Sequence, residues 1–211
     1  MNRKEIKEEA KAKIKGNIWN ILWPMLVIGV VAAAFSGNIG RAQTINLEDL
    51  NEMMIQPRIT IGSSLGAIIS GILSAGYIMY LLNFVRTGKF NTNDIINTIK
   101  ERWIDILIAV VLVGIIVAVC SILIIPGIIM ALAYTFAIYL VVDKNVSGSD
   151  SLKESREMMK GYKWDYFVFE LSFLGWIILG ALTLGILYIW LIPYICVASC
   201  LYYEKLKEIK K

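Results

Sequence analysis

The sequence contains no histidine, which removes the commonest general base and the commonest transition-metal ligand together. Charge is scarce as well. Asp, Glu, Lys and Arg make up 18% of the 211 residues, against 57% for hydrophobic types, whereas a soluble domain carries about a quarter charged residues. Cysteine is limited to Cys120, Cys196 and Cys200. All three fall in apolar runs, with Cys196 and Cys200 at i, i+4 on one helix face. They read as buried thiols acting as small hydrophobes, not as a disulfide framework. A Gly-rich phosphate loop, a nucleophile elbow and a Cys/His metal spacing are missing too. No catalytic residue, metal site or cofactor is therefore expected, and the chain reads as non-enzymatic.

What is present is long apolar runs. Crossing ~30 Å of hydrocarbon takes ~20 apolar residues as a helix, and six runs approach that length: 18–35, 59–85, 103–125, 127–142, 164–182 and 186–203. The predicted fold is an all-α polytopic membrane bundle in one domain, 1–211. Pro126-Gly127 is expected to turn the chain between the third and fourth spans, and Thr183-Leu184-Gly185 between the fifth and sixth. Pro24 and Pro193 mark expected kinks. The first fifteen residues are charged throughout and the first apolar run lacks a small-residue cleavage site, so no signal peptide is expected.

Cations test the direction of the spans. Nineteen of the 21 Lys and Arg fall before the first run, within 86–102, within 143–163, or after the last run; only Arg41 and Arg58 fall elsewhere. Positive charge collects on the cytoplasmic side, so this alternation predicts six crossings with both termini cytoplasmic. A net charge of +4 then points to anionic lipid and not to nucleic acid. Trp19, Trp103, Trp164 and Tyr202-Tyr203 stand at the same ends, where amphipathic rings prefer to lie.

Short amphipathic segments, 2–16, 93–102 and 149–162, precede the first, third and fifth spans. Ile6, Ala10 and Ile14 form an apolar stripe in the first, and Ile95, Ile99 and Trp103 in the second. Leu152, Ser155, Met158 or Met159, and Tyr162 do so in the third. Such a stripe backed by Lys suits a helix lying in the headgroup layer. Ser151 to Glu154 matches a capping box, with 143–150 as the loop before it. Gly114 and Gly175 each follow a span-opening Trp by eleven residues. One reading is a surface helix plus a transmembrane hairpin used three times. The other is that any cytoplasmic helix start looks basic and then aromatic.

Span two carries Gly62, Gly66, Ser70 and Ser74 at four-residue spacing, with Gly71 beside them. Small residues let helices approach closely where lipid supplies no hydrophobic drive. The contact is expected within the chain; a second copy is the alternative, and the oligomeric state stays open. Inside span five sits one carboxylate, Glu170, six residues beyond Trp164, ~9 Å along a helix rising ~1.5 Å per residue. A protonated carboxyl bonded to a neighbouring helix's Ser, Thr or Tyr is the structural reading; a ligand or proton site is the functional one. Asp105 and Asp165 belong to the interface, so no two-acid pair forms.

The stretches "PGIIMALAYTFAIYLVVD", "SLKESREMMKGYKWDYF", "LSFLGWIILGALTLGI" and "WLIPY" resemble the bacterial membrane family catalogued as domain of unknown function 975. The likeness runs from Pro126 to about Tyr203, and the opening "EIKEEAKAKIKGNIW" is similar to that family's start. Ser155, Met159, Gly161, Lys163, Ser172-Phe173, Gly175-Trp176 and Pro193-Tyr194 fit its pattern; Leu187 departs from it where a second Gly belongs. The resemblance implies a multi-pass protein of the bacterial cytoplasmic membrane and carries no catalytic residues. Three functions are compatible: a bundle binding membrane lipids or a membrane-protein partner, a small permease or ion-coupled carrier using Glu170, and a lipid-active enzyme. The missing acid/base constellation ranks the enzyme last.

Overall fold

A computed structural model describes residues 2–35, 61–120, 124–183 and 185–210. Every regular element among them is a helix: α1 Arg3–Ile14, α2 Ile18–Phe35, α3 Ile61–Thr87, α4 Asn93–Cys120, α5 Ile124–Tyr134, α6 Ala137–Lys144, α7 Gly148–Met158, α8 Lys163–Leu171, α9 Leu174–Leu182 and α10 Tyr188–Ile209. Arg41 and Arg58, the two exceptions in the charge pattern, lie outside the described residues.

Two corners are built alike. In the first, the Asn2 side chain accepts from the Glu5 N–H at the start of α1, and α1 ends at a turn in which the Asn17 N–H donates to Ile14 O at 2.9 Å. In the second, the Ser147 side chain caps α7 by accepting from the Asp150 N–H, and the Tyr162 N–H donates to Met159 O at 3.1 Å after that helix. Both turns pass through a glycine at φ +87°, Gly16 and Gly161, a left-handed value at which a Cβ is strained. A basic residue, Lys15 or Lys160, precedes each glycine, and a Trp follows three residues later. Trp19 and Trp164 are equally exposed, at 74%. At the first corner α1 and α2 meet at 90°. The cap of α7 is thus Ser147, four residues before the Ser151 expected from sequence. Ser151 already lies inside the helix and donates to Gly148 O.

The stripes on α1 and α7 pack into the protein and not into a headgroup layer. Ile6, Ala10 and Ile14 are at most 1% exposed, and Ser155 and Met159 are fully buried. α1 lies against α10, and α7 against α4 and α6. Amphipathic spacing tells that a helix has an apolar partner; it does not tell which one. The middle segment differs again: 93–102 is not a separate surface helix but the first turns of α4, which continues unbroken through Trp103.

The apolar runs are less regular than their composition. Pro126-Gly127 is not a turn: α5 begins at Ile124 and passes through both, because proline within the first helical turn forfeits no intrahelical bond. Residues 121–123, before α5, lie outside the described residues. The run 127–142 is interrupted at Thr135-Phe136, and 164–182 at Ser172-Phe173. Gly185, at φ +88°, closes α9 by donating its N–H to Gly180 O at 2.9 Å, a Schellman-type 6→1 bond. Among the described residues three stretches are long and apolar enough to cross a membrane: Ile68–Thr87, Gly127–Lys144 and Lys163–Leu182. The bent pair α1 and α2 makes a fourth if counted as one span. α4 and α10 each join an apolar run to charged turns, around Lys100–Arg102 and Glu204–Lys207.

The core is aromatic. Phe136 lies 5.2 Å from Tyr166, 6.1 Å from Tyr202 and 5.5 Å from Tyr203, between ring centroids. Tyr166 and Phe169 meet Tyr202 at 4.8 and 5.0 Å. Phe173 continues the seam to Tyr194 at 5.4 Å. α6, α8 and α10 are joined along this line of rings, each adding ~0.5–1.5 kcal/mol per pair beyond its area burial.

Candidate functional site

Glu170 stands near the end of α8, half-buried. One helical turn earlier, Tyr166 is buried, and its hydroxyl interacts with the Glu170 carboxylate and with the Ser199 hydroxyl of α10. Tyr139 of α6 and Cys196 of α10 lie within electrostatic range of the same carboxylate. No Lys or Arg among the described residues pairs with Glu170. An acid in a membrane-crossing helix would cost ~2.5–3.5 kcal/mol at its centre and somewhat less nearer the interface; Glu170 lies in the apolar stretch Lys163–Leu182, with the Tyr166 hydroxyl beside it. The arrangement can accept a proton or a positively charged group at the carboxylate, supported by a Tyr–Ser chain reaching α10.

Asp105 and Asp165 both lie at the charged end. The Asp105 carboxylate accepts the Gly148 N–H at 3.2 Å, tying α4 to the start of α7. Asp165 accepts the Tyr202 hydroxyl at 2.9 Å and pairs with Arg3 at 3.5 Å, so α1, α8 and α10 converge on one carboxylate. The structure does not bring Asp105 or Asp165 to Glu170's partners.

Sequence reading missed the densest polar group. The Asp143 side chain, 3% exposed, is held by Arg86 at 2.5 Å and by Lys207 at 2.5 Å. The Tyr203 hydroxyl donates to the same carboxylate at 2.9 Å. Arg86 also bonds Glu204 through two nitrogens, at 3.0 and 2.5 Å. The ends of α3, α6 and α10 are thereby stitched by a closed set of charges. One signal was available: Arg86, Asp143 and Glu204 each end an apolar run, with signs that complement one another. Beside this set an open cleft of ≈ 410 Å³ is lined by Lys144, Glu154, Glu157, Met158, Lys207 and Lys210. Lys144 pairs with Glu154 there.

Outside the apolar stretches, Asp150 is held below the ordinary carboxylate range by the Ser147 hydroxyl first and by Lys153 second. Among the described residues no three Cys, Asp or Glu side chains gather as a metal site requires.

The chain matches a family described as a protein of unknown function, DUF975, over residues 1–125 and 110–210. It belongs to the DUF975 family. No curated protein matches it, and no solved structure does.

In this DUF975 protein the small-residue positions of α3 divide. A Cβ on Gly71 would stand 2.8 Å from Val110 Cγ1, and one on Gly76 would stand 2.9 Å from both the Ile95 side chain and its carbonyl oxygen. Both glycines face α4 of the same chain. Gly66 is buried and Ser70 half-buried, while Ser74 turns back to donate to Gly71 O at 2.8 Å. The surroundings of Gly62 lie outside the described residues. Gly114 and Gly175, singled out by their spacing from Trp, have no atom within 4 Å of an added Cβ. The thiols of Cys196 and Cys200 are free.

Proposed function

We propose that this DUF975 protein is a non-enzymatic bundle of six membrane-spanning helices whose charged end lies at the cytosol of a bacterial cell and holds anionic lipid. One observation carries the reading. Trp19, Trp103 and Trp164 are exposed at 74%, 52% and 74%, and each has an exposed lysine within four residues: Lys15, Lys100 and Lys160. None of these lysines forms an ion pair with another described residue. Rings at the interface beside uncommitted ammonium groups suit phosphate-bearing headgroups, with each cation contributing ~1 kcal/mol near an anionic surface.

The matched corners at Gly16 and Gly161 support reuse of one helix–corner–span unit. The unbroken α4 makes the middle copy a variant of it. Because the stripes of α1 and α7 face inward, lipid meets the Lys and Trp side chains and not the apolar stripe.

Native mass spectrometry of gently solubilised protein tests the lipid reading. Retained phosphatidylglycerol or cardiolipin is expected, reduced when Lys15, Lys100 and Lys160 are together changed to Gln. Finding no bound lipid, or retention unchanged in that variant, refutes it. Reporter fusions after Lys89 and Lys153 test the topology, and external placement of either one refutes the six-crossing arrangement.

A further inference from the structure

The deepest acid in the described spans lacks a positive partner, while the acids of the charged end have theirs. Asp143 has Arg86 and Lys207, Asp165 has Arg3, and Glu204 has Arg86. Among the described residues Glu170 interacts with the Tyr166 hydroxyl, which in turn interacts with Ser199. Glu170 is half-buried, and two apolar neighbours along that helix pair, Leu171 and Leu174, are 45% and 50% exposed. It can therefore be reached sideways, across an apolar surface. Aromatic rings stand on the inner side: Tyr166 is 5.9 Å from Phe169 between centroids, and both are buried.

A carboxylate with no Lys or Arg partner and an apolar approach are together the requirements for recognising a cation carried on a greasy body. A compact hydrated ion would lack the oxygen ligands it needs, since one hydroxyl and one carboxylate fall short of the six or more that hard cations take. A delocalised or alkylated cation is weakly hydrated and needs only a counter-charge and apolar contact.

We propose that Glu170, beside the Tyr166 hydroxyl, forms a lateral binding site for a lipophilic organic cation, an ammonium or phosphonium group entering from the bilayer side. The apolar body lies over Leu171 and Leu174, and the positive centre reaches the carboxylate. The site is separate from the anionic-lipid rim, and either can fail without the other.

The probe is tetraphenylphosphonium, titrated by calorimetry into purified protein in nanodiscs of neutral lipid. Saturable binding is expected for the wild type. Glu170→Gln should weaken it about tenfold or more, because a desolvated charge loses its counter-charge. Glu170→Asp should retain it within a few-fold, and Tyr166→Phe should fall between the two. No binding by the wild type overturns the proposal, as does equal binding by Glu170→Gln. Where Glu170→Gln does not fold, the wild type is treated with dicyclohexylcarbodiimide and mapped by mass spectrometry. Modification at Glu170 that the phosphonium ion blocks supports the site. Absent modification, or modification the ion leaves unchanged, overturns it.

Discussion

Gly148 sits against the backbone of Asp105 so closely that a Cβ would stand 2.4 Å from the Asp105 carbonyl oxygen and 2.7 Å from Ile108 Cβ. The Asp105 carboxylate meanwhile accepts the Gly148 N–H. Backbone on one side and a β-branched stem on the other leave nothing soft to move. Gly148→Ala should therefore destabilise the fold by about 1–3 kcal/mol. Gly175→Ala, at a helix position with open space around it, should be neutral or stabilise by up to about 1 kcal/mol. Thermal unfolding of both variants in one detergent checks the contrast, and equal midpoints would refute the packing account.

The two corners predict matched penalties. Gly16 and Gly161 share φ +87° with open surroundings, so Ala at either position pays only left-handed strain, roughly 1–2 kcal/mol. Similar drops in unfolding midpoint are expected for the two variants. A large loss at one and none at the other would count against the corners being equivalent.

Asp143 predicts a strong coupling. Asp143→Asn leaves Arg86 and Lys207 facing a neutral amide in a site whose carboxylate is 3% exposed. Removing one member of a buried pair costs about 3–5 kcal/mol, and solvent reaching the two cations should reduce that toward 2. A double-mutant cycle of Asp143→Asn with Arg86→Gln should return an interaction energy of about 0.5–3 kcal/mol. Additive effects would mean that the charges do not act together.

The pH dependence at α7 has a definite sign. Asp150 titrates below the ordinary carboxylate range because Ser147 and Lys153 favour its ionised form. The ionised carboxylate therefore supports the first turn of α7 above that range, and the support disappears as pH falls through the lowered value. Carboxyl-selective NMR should show Asp150 titrating low in the wild type and nearer the ordinary range in Ser147→Ala. An unchanged titration in that variant would exclude the Ser147 hydroxyl as the cause.

Arg3 predicts how α1 is held. It reaches Asp165 at 3.5 Å and is 40% exposed, and such pairs contribute about 0–1 kcal/mol. Arg3→Gln should barely shift the unfolding midpoint, whereas Ile6→Ala, emptying a fully buried position, should cost about 2–5 kcal/mol. The reverse order would mean that charge, and not the apolar stripe, docks α1.

Legibility followed the kind of information each feature rests on. The stripe of Ile6, Ala10 and Ile14 was visible because four-residue spacing is local, and the structure buries all three. The partner of that stripe was not visible, since the headgroup layer and α10 offer the same apolar contact to a single helix. Pro126 was misplaced because a proline reads alike at the end of one helix and in the first turn of the next. Ser151 and Ser147 each stand three residues before an acid, and only the backbone decides which of them caps α7. Glu170 stood out as an acid in an apolar run, while the pairing of Asp143 with Arg86 and Lys207 was hidden, its members being 57 and 64 residues from Asp143.

By itself the sequence determined the helical class, the apolar runs, the clustering of cations beside Trp, and the isolation of one acid. Composition and short-range periodicity carry those properties, and both are written along the chain. Only the tertiary structure decided that α1 and α7 turn their stripes inward, that Asp143 joins three helix ends, and that Tyr166 links Glu170 to Ser199 of α10. Those facts depend on which distant segments come within a few ångströms, which is set by mutual packing of whole helices and recorded in no local pattern.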